Sequence, residues 1–218
     1  MSGMTSRRNQ ESTETRDLIL DAARSAFVSA GYEATSIREV ARRAGISHGT
    51  IYLHFRDKDD LLYQLSEDEF SRLLARLRAL PRSHDPIQRL SEALREIGRY
   101  GLEFPFQYQL MMGHRTESFS ASAAPRFGPL ADQVNAFIGD LVREAQKRRL
   151  LVEPANKLDD LALLAGVHGV VTMFTLHLID RETANAAIDH TVALLLGALS
   201  GGSCTIERST ANGVDSGL

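Results

Sequence analysis

Residues 31–62 read GYEATSIREVARRAGISHGTIYLHFRDKDDLL, and the punctuation of this stretch decides the fold. Gly31 suits the turn that ends a preceding helix, because it tolerates positive φ. Ser36-Ile37-Arg38-Glu39 has the spacing of a capping box, in which a serine oxygen accepts from the backbone N–H three residues on. It predicts a short helix with Val40, Ala41 and Ala44 inward and Gly45 closing it. Ser47 then caps a third helix over residues 48–54. Two short helices that cross steeply over a tight turn need three things: a small residue at the crossing, a turn residue tolerant of positive φ, and an apolar anchor on the second helix. Ala41 and Gly45 supply the first two, and Ile46 with Ile51 supplies the anchor, which makes a helix-turn-helix scaffold.

Outward from this unit the pattern is helical on both sides. Leu18, Ile19, Ala22, Ala23, Ala26 and Phe27 recur at three- and four-residue spacing, an amphipathic helix running up to Gly31. Asp57 opens a longer helix carrying Leu61, Leu62, Leu65, Phe70, Leu73, Leu74 and Leu77 and ending before Pro81. Further helices are expected over residues 86–103, 105–114, 129–149, 158–180 and 182–199. No stretch shows the alternation of a half-buried strand. The expected class is therefore all-α with about nine helices. A three-helix helix-turn-helix domain (15–60) precedes a larger helical domain (61–200), between tails 1–14 and 201–218 expected to be disordered.

Composition narrows the function. The 218 residues are 43% hydrophobic and 24% charged, ordinary for a soluble globular chain, and the sole cysteine, Cys204, excludes an internal disulfide framework or a cysteine metal cluster. The opening MSGMTSRRNQESTETRD has no apolar run behind its arginines, so no secretory signal is read and a cytoplasmic protein is expected. Residues 161–179 contain no Asp, Glu, Lys or Arg. Two histidines, two threonines and two glycines within them favour a helix buried in a bundle over a membrane span. The net charge of −3 hides a local excess: between residues 35 and 58, Arg38, Arg42, Arg43, Arg56 and Lys58 face only Glu39 and Asp57. Such a basic footprint suits a nucleic-acid surface.

In a helix-turn-helix the second helix enters the major groove with its N-terminal end toward the bases. Ser47, His48, Gly49, Thr50, Tyr52 and His54 form its exposed side. Hydroxyls of Ser47, Thr50 and Tyr52 can meet phosphates or base edges, and Arg38 can clamp a guanine edge with two donors. Ser36, Tyr52, His54 and Lys58 are placed for phosphates, which position without specifying; His54 equally suits simple packing at the helix end.

The same stretch, with its Gly-Tyr turn, Thr-Ser helix start, Ala-Gly-Ile core and Tyr-x-His-Phe followed by Lys, resembles the N-terminal domain of the TetR family of transcriptional regulators. The resemblance implies an all-α homodimer, one DNA-binding domain per subunit, and a larger domain for dimerisation and for a small-molecule effector. It implies operator DNA contacts at Ser36, Arg38, Ser47, His48, Thr50, Tyr52, His54 and Lys58. Leu53 departs from the pattern, since many relatives carry a second tyrosine there. Leu164-Ala-Gly-Val-His-Gly169 resembles a TetR subgroup named for Trp, His and Gly, although this chain has no Trp.

For the regulatory half, Phe104, Phe106, Tyr108, Met111, His114, Phe127, His168 and Met173 are candidates for an apolar or amphipathic ligand pocket, and equally suit ordinary core. Leu163, Val167, Val170 and Phe174, with Val192, Leu195 and Leu199, are expected on a four-helix seam between subunits, since the family dimerises through its last two long helices. No cofactor motif is present, and the histidines lack metal-ligand spacing. A repressor released by a ligand is the leading expectation. An activator or a ligand-independent regulator fits the same residues. A helical enzyme lacks paired carboxylates, a nucleophile with its base, or a phosphate loop. A helical adaptor would differ in having no salt-sensitive DNA binding.

Overall fold

The computed structural model describes residues 2–81, 85–112, 129–151 and 158–201. Nine α-helices and no strands are found among them: α1 (Ser2–Ala34), α2 (Ile37–Ala44), α3 (His48–Tyr52), α4 (Lys58–Ala79), α5 (Pro86–Glu103), α6 (Pro105–Met111), α7 (Pro129–Lys147), α8 (Asp159–Thr175) and α9 (Arg181–Leu199). Helix α1 breaks at Gly31, whose φ of 80° and ψ of 164° only glycine adopts at ease. The N-terminal segment expected to be disordered to residue 14 is instead helical from Ser2. No Gly or Pro interrupts residues 4–30, and Gln10 Nε2 donates to Glu14 Oε1 at 3.2 Å along the exposed helix. Most of the expected C-terminal tail, 202–218 with Cys204, lies outside the described residues.

Local signals set the short helices. Ser36 accepts from Glu39 N at 3.2 Å, Ser47 from Thr50 N at 3.1 Å, and Asp57 from Asp60 N at 2.7 Å, each filling an orphan donor of a first turn. Gly45 takes φ 67° and ψ 26°, and Ile46 N bonds back to Ala41 O at 3.1 Å, so α2 stops and the chain turns into α3.

Two buried clusters divide along α4. The smaller joins Ile19, Ala23, Phe27, Val40, Ile51, Phe55, Leu61 and Leu65 into the core of a head. The larger runs from Phe70 through α5, α7, α8 and α9 and forms the body. Helix α6 lies between them. Phe106 and Leu110, one turn apart, pack into the head core, whereas Tyr108 and Met111 pack into the body. Ser66 Oγ of α4 donates to Leu110 O at 2.7 Å, so α6 is pinned to the helix that both cores share. At Gly101 an added Cβ would lie 2.5 Å from a Val171 side-chain carbon, so glycine permits the close approach of α5 to α8 there.

The uncharged run of residues 161–179 does not form one helix. Helix α8 ends at Thr175; His177 takes φ 57°, its N–H bonds Phe174 O, and Leu178 N bonds Met173 O at 2.9 Å. That left-handed cap, followed by Asp180 as N-cap of α9, reverses the chain. Among the described residues no helix is long and apolar enough to cross a membrane.

Candidate nucleic-acid interface

The head presents α2 and α3 on one side, with Ala41 and Ile51 buried beneath them and Ile46 half-buried at the turn. On α3, His48 and Tyr52 stand one turn apart as an edge-to-face pair, ring centroids 5.0 Å apart. Both are exposed, as are Ser36, Arg38 and Ser47; Thr50 and His54 are half-buried. Ser47 Oγ and Thr50 Oγ1 share a hydrogen bond of 2.7 Å, so the two hydroxyls at the mouth of α3 are held together.

The basic footprint sorts itself by partner. Arg42 grips Glu39 with two donors at 2.8 and 2.7 Å, and Arg43 Nε adds a third at 2.7 Å. These hydrogen bonds hold the Glu39 carboxyl down at about 2. They also explain why the capping box closes on one side only: the Glu39 side chain is turned to the arginines. Arg38 is exposed and pairs with no described residue, which leaves its guanidinium free for a base edge.

Lys58 is engaged within the head itself. Its ammonium turns back to donate to Tyr32 O at 2.9 Å and sits 4.1 Å above the Tyr32 ring. The reason is local. The break at Gly31 brings the carbonyls of Tyr32 and Glu33 within reach of the first residue of α4, and Lys58 shares the Tyr32 oxygen with Thr35 N, which donates to it at 3.2 Å. Tyr32 also donates to Asp59; burial, then this hydrogen bond, pushes its phenol up.

Sequence reading missed the polar group that ties head to body. Glu69 of α4 is 1% exposed and accepts from Tyr100 Oη of α5 at 2.7 Å. Its other oxygen takes Arg72 Nη1 at 3.3 Å and lies 3.4 Å from Nε of Arg24, a residue of α1 with 16% exposure. Burial, then the hydrogen bond to Glu69, drives the Tyr100 phenol upward. A signal was present: Glu69 interrupts the apolar row Leu65, Leu73, Leu77 of α4, and a charge in such a row is buried only with partners.

The candidate ligand residues separate. Tyr108 and Met111 are buried, and His168 stacks on Tyr108 with centroids 5.8 Å apart. Buried His168 Nδ1 has no hydrogen-bond partner, and burial pushes the imidazole down. Phe104 packs half-buried beside Tyr100 at 5.2 Å. Phe106 belongs to the head core instead, because it shares the opposite face of α6 with Leu110. Met173 is 45% exposed on the outer face of α8, away from any pocket inside the body. His114 and Phe127 lie outside the described residues. An open cleft of about 660 Å³ at the far end of α4, edged by Leu80, Arg89, Phe137 and Arg148, includes none of the expected ligand residues.

Four of the residues expected on the seam lie inside the subunit. Leu163, Val167, Val170 and Val192 are buried in the subunit's own core, and Phe174, Leu195 and Leu199 pack half-buried against it. A helix apolar all round gives no indication of which stripe faces inward. The outward stripes are Leu161, Ala165, Gly169 and Met173 on α8 with Leu176 at its C-cap, and Ala186, Ala193, Leu194 and Gly197 on α9.

A helical head with a capped two-helix reading unit, joined through one long helix to a helical body, defines a helix-turn-helix DNA-binding regulator. Residues 19–65 match the family described as bacterial regulatory proteins, tetR family. The chain is 32% identical over 192 residues to the HTH-type transcriptional repressor KstR of Rhodococcus jostii, a match covering 84% of each protein. It is 42% identical over 73 residues to the HTH-type transcriptional regulator AcrR of Shigella flexneri, covering 32% of this chain and about a third (34%) of that relative. The solved structure of the TetR family transcriptional regulator PfmR from Thermus thermophilus superposes with a TM-score of 0.64 at 25% identity, covering 83% of this chain and 95% of that one. The chain belongs to the TetR family.

Proposed function

We propose that the protein is a cytoplasmic repressor that binds a near-palindromic operator as a homodimer and is released by a small apolar or amphipathic ligand. The exposed row of α3 beside the unpaired Arg38 guanidinium carries this reading. Arg38 supplies two parallel donors for a guanine edge; Ser47, Thr50 and Tyr52 supply hydroxyls for base edges or phosphates. The similarity to a named repressor over 84% of both chains supports the direction of control.

Dimerisation falls to the outward apolar stripes of α8 and α9. Leu176 and Leu194 are 57% and 58% exposed, and Ala165, Gly169, Ala193 and Gly197 between them let two helix pairs approach closely. Exposed apolar residues recurring at helical spacing on two adjacent helices suit an association surface.

The effector enters against Tyr108, Met111 and His168, where the unpartnered His168 Nδ1 offers a polar handle. Displacement of Tyr108 and Met111 moves α6, and with it Phe106 and Leu110 in the head core. Helix α4 follows through Ser66, resetting the spacing of the two heads. A coupling of about 1–3 kcal/mol weakens operator binding about 5- to 150-fold.

The test is selection of duplex DNA by the intact chain, followed by affinity measurement with Arg38→Ala and a screen for compounds that release the complex. Sequence-specific, salt-sensitive binding that Arg38→Ala degrades is expected. Failure to select any sequence refutes the reading.

A further inference from the structure

Helix α3 carries one side chain that neither the scaffold nor the polar contacts account for. Leu53 is 82% exposed, the highest value among the described large hydrophobic residues, and it packs against neither core cluster. It is the C-cap of α3, with its N–H bonded to Thr50 O at 3.2 Å, so its backbone is fixed by the helix. A leucine so exposed adds nothing to folding stability, since its surface stays in water.

Its neighbourhood is specific. Side chains one turn apart share a helix face, so the outer surface of α3 consists of two adjacent rows. His48 and Tyr52 form the polar aromatic row. Gly49 and Leu53 form the other, and an added Cβ at Gly49 would meet only Ser47 Oγ, at 3.8 Å. This second row is therefore a bare backbone step with one isobutyl group at its end. It admits a duplex closely at Gly49 and offers Leu53 only van der Waals contact. In the major groove the apolar group exposed on a base edge is the C5 methyl of thymine.

We propose that Leu53 is a specificity-determining residue that reads a thymine methyl in each half-site. This rests on the reading that α3 faces DNA. Arg38 and the hydroxyls select by hydrogen bonding; Leu53 adds a position selected by apolar contact, where cytosine or uracil is rejected for lack of a methyl group.

The experiment uses the intact chain and the operator selected from random duplex DNA. Each thymine is replaced in turn, in both half-sites together, by uracil, which deletes only the methyl. Dissociation constants are measured by fluorescence anisotropy for the wild type and for Leu53→Ala and Leu53→Asn, with circular dichroism confirming that both variants fold. At one thymine per half-site, uracil should weaken the wild type about fourfold per half-site, about 15-fold for the pair, as expected for one methyl group's burial. Both variants should bind the thymine and uracil operators alike at that position. Uracil effects that are the same in the wild type and both variants at every position overturn the assignment, as does an operator without thymine in its selected half-site positions. A chain that selects no sequence overturns the DNA-binding reading and this assignment together.

Discussion

Replacing Glu69 with alanine tests the link between head and body. The carboxylate is 1% exposed, and its removal leaves Tyr100 Oη with only the Glu69 carbonyl, at 3.4 Å. It also takes from Arg24 its buried partner, although Asp21 still binds Arg24 Nη1 at 2.6 Å. Breaking a buried ion pair from one side costs about 3–5 kcal/mol; the surviving Asp21 contact places this case near about 3. Against a total stability of about 5–15 kcal/mol, that is a large fraction. Tyr100→Phe removes one hydrogen bond to a charged acceptor and should cost about 1.5–3 kcal/mol. Combining Tyr100→Phe with Glu69→Ala should cost less than the sum, because both delete the same bond. Urea unfolding at pH 7 and constant protein concentration reads these losses as midpoint shifts at unchanged slope. A Glu69→Ala midpoint within about 0.5 kcal/mol of the wild type, or strict additivity with Tyr100→Phe, would refute the role given to this cluster.

Four further outcomes are expected. Gly45→Ala meets no atom within 4 Å but must hold φ near +67°, so it should cost about 1–2 kcal/mol of head stability in urea unfolding, with Gly45→Asn costing less; equal effects would contradict the backbone argument. Arg38→Ala should relax preference at one base pair per half-site by about 1–3 kcal/mol, measured on matched and mismatched operators. Lys58→Ala should lower the unfolding midpoint while leaving the salt dependence of operator binding nearly unchanged, because its ammonium is committed to Tyr32 O; a slope reduced by about one would return it to the phosphates. Burial holds the His168 imidazole below its ordinary 6.5, so the unfolded chain takes up that proton first as the pH falls. Stability from this group is therefore complete above pH 6.5 and declines below it, and His168→Gln should flatten the midpoint change between pH 7.5 and 5.5.

What the sequence discloses follows the range of the interactions. Helices α2 and α3 are legible because Ser36, Gly45 and Ser47 act on backbone within three or four residues of themselves. The ends of α5 and α7 are legible from Pro86 and Pro129 in the first turn. The Lys58 contact within the head is not legible because its acceptor, Tyr32 O, is 26 residues away and follows from where α1 breaks. The burial of Leu163, Val167 and Val170 within the subunit is not legible because α8 is apolar on nearly every face, so periodicity identifies a buried helix without saying which stripe faces inward. Phe106 and Met173 stand apart from the other candidates for a related reason: residue type marks them for an apolar environment, and only the packing of α6 between two cores, or the exposure of α8, decides which one.

Hydroxyl-radical footprinting of the intact chain on its selected operator, with the wild type and Arg38→Ala side by side, tests the central claim most directly. The expected result is two symmetric protected segments about one helical turn or a multiple apart, lost on mismatched DNA for the wild type but little changed by mismatch at one base pair for Arg38→Ala. Absence of protection, or protection that Arg38→Ala leaves equally sequence-dependent at every position, would contradict the assignment of residues 35–58 as the DNA-reading unit.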